Sequence, residues 1–239
     1  MDSVAYQSQQ KDRVPVIYHL QRWFFAASIP LGMVATLVMV VTNPGYYNSL
    51  TGEAGLLAGY ASASAVMVQI HFIFSVITFY LLPVGLLVMA WLAMRRAPWL
   101  ASIGAFLIFL GMFPLPAAGA AVESLAYDIV RMGSQPLLLT MIHQFNNDGI
   151  ISFYTLVDIP GIVFGPAIIG IALWRARAVP LWAAVLITFS RLVVFLFPVF
   201  PSLPGVYLQS LSCVLLFIGS IPAALAVLRT ARKQSSTGS

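Results

Sequence analysis

Residues 65–96 read AVMVQIHFIFSVITFYLLPVGLLVMAWLAMRR. Ala65–Met94 contains no Asp, Glu, Lys or Arg, and the run stops at the pair Arg95–Arg96. As a helix rising about 1.5 Å per residue, it is longer than the roughly 30 Å hydrocarbon core of a bilayer. A stretch this long and this apolar has no soluble counterpart, so it predicts a tilted or protruding membrane span.

The rest of the chain repeats the pattern. Of 239 residues, 60% are hydrophobic and only 8% are charged, against about 25% charged in soluble domains. Mean hydropathy is +0.94. Five further stretches qualify as spans: Trp23–Val41, Trp99–Ala121, Ile150–Trp174, Leu181–Val199 and Val206–Leu228. The expectation is an all-α polytopic membrane bundle of about six transmembrane helices. A cytoplasmic segment 1–21 precedes the membrane domain 22–229, and a disordered cytoplasmic tail 230–239 follows. The Ala- and Gly-rich spans suggest a bacterial inner membrane. Residues 1–21 are polar and lack the apolar stretch of a cleavable signal. Cys213 is the only cysteine, which excludes an intrachain disulfide and a thiolate cluster.

Charge sets the orientation. Lys11, Arg13 and Arg22 precede the first span; Arg95 and Arg96 join spans two and three; Arg175 and Arg177 join four and five; Arg229, Arg232 and Lys233 follow the sixth. The alternate loops hold Arg131 alone, beside Glu53, Glu123, Asp128 and Asp148. The positive-inside rule therefore predicts N-in/C-in. Because the basic residues flank apolar runs instead of sharing one face, the net charge of +5 does not point to nucleic acid.

Two external segments are longer than simple connectors. Residues 43–60 carry Asn-Pro-Gly and Thr-Gly turn signals. Residues 121–148 contain Val122, Leu125, Ala126, Ile129 and Val130 at helical spacing, with Glu123, Asp128 and Arg131 off that stripe. This predicts a short helix on the outer surface. Pro83, Trp91, Arg95 and Pro98–Trp99 are echoed by Pro166, Trp174, Arg175, Pro180 and Trp182, consistent with a duplicated hairpin or with ordinary interface chemistry.

Two charges fall inside spans, where each costs about 2.5–3.5 kcal/mol on insertion scales. Asp158 belongs to span four and Arg191 to span five. Their heights above the basic end, roughly 22 Å and 15 Å at the helical rise, predict a direct or water-mediated pair. This is either helix glue or the floor of a wet pocket. Gln69 and His71, with Ser75, lie on span two, Tyr154 and Thr155 on span four, Gln209 and Ser212 on span six, and Glu123 after span three. They could line an outward-opening funnel above a drier cytoplasmic half. Gly161 and Gly165 form a G-x-x-x-G pair that permits close helix approach.

The leading expectation is a pocket that binds or transports a small amphiphilic molecule, with Asp158, Arg191, His71, Gln69, Tyr154 and Gln209 as binding residues. Transport by so few spans would call for a homodimer. The alternative is a membrane-embedded isomerase, cyclase or hydrolase using Asp158, Glu123 or His71 as acid or base on a lipophilic substrate. A structural or accessory subunit is the third reading. Membrane lipid is the expected surrounding partner. No metal or cofactor is expected, since zincin, P-loop and nucleophile-elbow motifs are absent and His19, His71 and His143 are far apart.

Overall fold

The structure is a computed structural model. It describes residues 16–46, 58–112, 125–133, 135–196, 199 and 203–236. Among these the chain is all-helical. Its longer helices are α1 (Val16–Thr42), α2 (Ala65–Met94), α3 (Pro98–Met112), α4 (Gln135–Asn147), α5 (Gly149–Arg175), α6 (Leu181–Ser190) and α7 (Gly205–Ser236). Glu123, Val122, residues 1–15 of the N-terminal segment and the part of span three beyond Met112 lie outside the described residues, as do the side chains of His19, Tyr154 and Thr155.

Four helical stretches are long and apolar enough to cross a membrane: Leu20–Thr42, Ala65–Met94, Leu156–Arg175 and Gly205–Arg229. Two shorter apolar helices, α3 and α6, stand where the third and fifth of the six expected spans begin. The fifth span departs most from expectation. In place of one helix to Val199, α6 ends at Ser190 and Arg191 caps it in the right-handed region. A five-residue 3-10 helix, Leu192–Leu196, then takes over.

Local signals explain the other ends. Asn43 Oδ1 accepts a hydrogen bond from the Gly45 amide at 2.9 Å, so the Asn-Pro-Gly triplet turns the chain after α1. Ser64 Oγ accepts from the Met67 amide at 3.2 Å and starts α2. Arg95 caps its C-terminus, and Pro98 opens α3 at the position where its missing N–H is harmless.

Six helices close into a ring in the order α1, α2, α3, α5, α6, α7 and back to α1, with α2 also touching α5 across it. In lipid, helix association depends on close packing more than on the hydrophobic effect. The α1–α2 seam shows this. A Cβ on Gly32 would lie 2.9 Å from the Leu82 backbone, and one on Gly85 would lie 2.9 Å from Ile29 Cα. The α3–α5 seam is tighter: a Cβ on Gly111 would come within 2.6 Å of Gly161 Cα, and Gly165 packs on Ile108. The G-x-x-x-G pair on α5 is therefore the contact face for α3.

Inside the ring, Ile29, Leu86, Met89, Ile169, Leu173 and Leu216 are among the fully buried side chains of one apolar core. Outside it, Ile73, Val76, Phe106, Phe109 and Leu225 are exposed, a surface suited to lipid. All five tryptophans (Trp23, Trp91, Trp99, Trp174 and Trp182) are exposed. Each lies near the arginine-flanked end of its helix, where a membrane–water interface places such rings. At the opposite end a smaller cluster forms. Tyr60 packs with Ala126 and Ile129 of a short helix over residues 125–131, and with Met141 of α4. That helix matches the stripe read from sequence, although Leu125 is exposed; α4 was not anticipated.

Candidate functional site

The α1–α2 packing fixes a register. Gly32 meets Leu82 and Gly85 meets Ile29, so Thr36 comes level with Thr78. Both side chains line a cavity of about 210 Å³ at the centre of the ring. Thr36, Met39 and Val40 come from α1, and Thr78, Phe79, Leu82 and Pro83 from α2. Met112 of α3, Ile162 of α5, Arg191 at the end of α6 and Gln209 of α7 complete the wall. All six ring helices contribute.

The lining is mostly apolar with four polar residues: Thr36, Thr78, Arg191 and Gln209. Their hydrogen-bonding states differ. Thr36 Oγ1 donates to the Gly32 carbonyl oxygen at 2.7 Å. Among the described residues, Thr78, only 3% exposed, leaves Oγ1 without a partner, and Arg191, 7% exposed, leaves Nε without one. Buried polar atoms in native proteins are nearly always hydrogen-bonded, to protein or to water. An apolar chamber with a guanidinium in its wall can hold the acceptor end of a small molecule while its body contacts Met39, Phe79 and Met112.

Arg191 reaches this chamber because α6 stops there. The α6–α7 seam sets Gly219 against the Ala183 carbonyl, so Arg191 faces Cys213 of α7, within electrostatic reach of its buried thiol. Gln209 is one turn further along α7.

The expected Asp158–Arg191 pair does not form as a direct contact. Asp158 Oδ1 is buried without a hydrogen-bond partner, and no ion pair joins the two side chains among the described residues. Register is the reason. Thr188 Oγ1 meets the Ala167 carbonyl of α5, which brings Arg191 level with about Phe164. Asp158 lies roughly 9 Å further along α5 at the helical rise. The chain also turns into its 3-10 segment at Arg191, directing that residue toward α7 and the cavity. Asp158 instead sits on the α3 seam, where its carbonyl oxygen would be 2.9 Å from a Cβ on Gly111.

The remaining candidates disperse. His71 is 1% exposed, and its Nδ1 donates to the Met39 carbonyl oxygen at 2.9 Å, tying α2 to α1 just beyond the cavity. Ser75 Oγ donates to the His71 carbonyl oxygen at 2.8 Å. Gln69 is exposed. Ser212 is buried and its Oγ has no partner among the described residues. The Tyr154 side chain and Glu123 lie outside the described residues. Of the sequence candidates, Arg191 and Gln209 therefore share the cavity. Thr36 and Thr78 join them unanticipated. A signal for Thr78 was present: His71, Ser75, Thr78 and Leu82 recur at helical spacing and are all buried, marking the inward face of α2.

No group of three or more His, Cys, Asp or Glu suited to a metal ion occurs among the described residues. No family model, no curated protein and no solved structure matches this chain.

Proposed function

We propose that the protein crosses the membrane six times, N-in/C-in, and that its central cavity binds or transports a small amphiphilic molecule whose acceptor or anionic head meets Arg191. One observation carries the reading: a guanidinium more than nine-tenths buried, with an unpartnered Nε, in the wall of a chamber built by all six ring helices. At about 210 Å³, the chamber is smaller than the roughly 300–1,000 Å³ usual for drug-sized ligands, so the guest is small.

Six crossings are supported by the ring, in which α3 and α6 occupy places equivalent to those of the long helices. α6 and its 3-10 extension cover roughly 25 Å, with rises of about 1.5 and 2.0 Å per residue. Orientation is supported by the tryptophans and arginines gathered at one end. An outward opening is supported by the dry core of Leu86, Met89, Leu173 and Leu216 that closes the chamber toward that end. The acid–base enzyme reading gains less support, because Asp158 and His71 do not line the chamber.

The test is thermal unfolding of the purified protein with hexanoate, hexanol or hexylammonium. Hexanoate is expected to raise the midpoint and hexylammonium to leave it unchanged. Arg191→Met, which retains apolar bulk, should remain folded and lose the hexanoate response. A response of equal size in Arg191→Met sinks the proposal.

A further inference from the structure

A second cavity, also about 210 Å³, lies at the arginine-bearing end of the bundle. Its wall includes Trp91 of α2 and Arg95 and Arg96 of the α2–α3 turn, with Ala176 and Ala178 of the α5–α6 turn and Ala226 of α7. We propose that this cavity is a headgroup site for an anionic phospholipid, its phosphate held by Arg95 and Arg96 and its glycerol end lying beside Trp91.

The charge is one-sided. Among the described residues no acidic side chain occurs at this end: Asp128 and Asp148 lie at the other end, and Asp158 lies in the far half of α5. Arg175 and Arg177 flank the lining residue Ala176, and Arg229 follows Ala226 by one turn. Guanidinium groups match phosphate oxygens in geometry as well as in charge.

The α5–α6 turn adds a backbone observation. The Ala178 amide donates to the Leu173 carbonyl oxygen at 3.0 Å and the Arg177 amide to that of Trp174 at 2.9 Å. These are the two bonds of a Schellman turn, which places Arg177 where glycine is usual. Its φ is +52°, the only positive φ of a non-glycine among the described residues. The turn thus holds a cation beside the cavity in a conformation that favours glycine. Helices α3 and α6 both begin at this end without an acidic residue in their first turns, and α6 has no side-chain cap. Their positive dipole ends favour a nearby anion.

Depth selects a lipid over a free ion. Trp91 is more than half exposed and Trp99, just beyond the turn, is 83% exposed, which puts the cavity at headgroup level. Basic pockets at this depth recognise anionic headgroups.

The full chain in detergent would be titrated with phosphatidylglycerol and phosphatidylethanolamine of the same acyl chains, and bound lipid counted by native mass spectrometry. One phosphatidylglycerol should be retained, roughly tenfold or more tighter than phosphatidylethanolamine. Arg95→Gln/Arg96→Gln should reduce its affinity to the phosphatidylethanolamine level. Ala178→Phe, which fills the cavity without touching a charge, should do the same. Arg131→Gln, at the opposite end, should bind as the parent does. Equal retention of the two lipids, unchanged binding in either cavity variant, or displacement by millimolar inorganic phosphate would overturn the proposal.

Discussion

Thr36 and Thr78 face the same chamber from antiparallel helices, yet among the described residues only Thr36 finds a partner for its hydroxyl, the Gly32 carbonyl oxygen at 2.7 Å. The Thr78 hydroxyl is thus available to a guest, and left alone it is a cost, since a buried unsatisfied polar group destabilises by about 1–3 kcal/mol. Thr78→Val keeps the shape and removes that group. The expected outcome is a ligand-free protein more stable by about 1 kcal/mol, with a weaker response to hexanoate. Thr36→Val should change the unfolding midpoint little. Thermal unfolding of the two variants side by side checks both statements.

The α3–α5 seam leaves no room for a methyl group at Gly161, whose backbone lies against Gly111. Overpacking of this kind costs about 1–3 kcal/mol. Gly161→Ala should lower the midpoint accordingly, whereas Gly149→Ala, with open space around its Cβ, should be neutral or slightly stabilising. Equal effects at the two sites would mean that the seam is looser than described.

His71 joins α2 to the α1 backbone at Met39, a residue of the chamber wall. His71→Leu removes the donor and leaves a buried carbonyl with one bond fewer, at a cost of about 1–3 kcal/mol. Hexanoate affinity should fall less than in Arg191→Met, because His71 does not line the chamber. A variant that kept full stability but lost all ligand response would instead make His71 part of the site.

Topology is open to direct measurement. Cys213 is buried and is the only cysteine, so Cys213→Ser provides a clean background. In intact cells a membrane-impermeant maleimide should label Gln69→Cys but reach Arg177→Cys only after permeabilisation. The reverse pattern would invert the bundle.

The helical membrane architecture was legible because apolar runs such as Ala65–Met94 report directly on the solvent around them. The seam at Gly161 and Gly165 was legible for a related reason: small residues one turn apart have few other uses at an apolar helix contact. The site was only partly legible. Arg191 stood out as a charge among apolar neighbours, but no direct ion pair with Asp158 forms. Heights counted along continuous helices bring Asp158 within reach. The break at Arg191 does not: neither Gly nor Pro lies at Ser190–Val193, so no local residue announces it. Thr36 was silent because a threonine inside a helix usually bonds its own backbone, as Thr36 does. Thr78 is the same residue type without that bond, a distinction that depends on packing.

Met39 and Met112, far apart in the chain, line the same cavity. Their side chains are unbranched, polarizable and free to change rotamer at little cost. If it binds a guest as proposed, a chamber bounded this way would adapt its outline to that guest, making tail shape a weak criterion for entry. Under the proposed binding role, selectivity would fall instead to the donors at Arg191 and Gln209. Across a panel of compounds, affinity should vary little between straight and branched hydrocarbons and steeply with the polar group they carry. The range of hydrocarbon shapes such a site would tolerate is then a property of two thioethers.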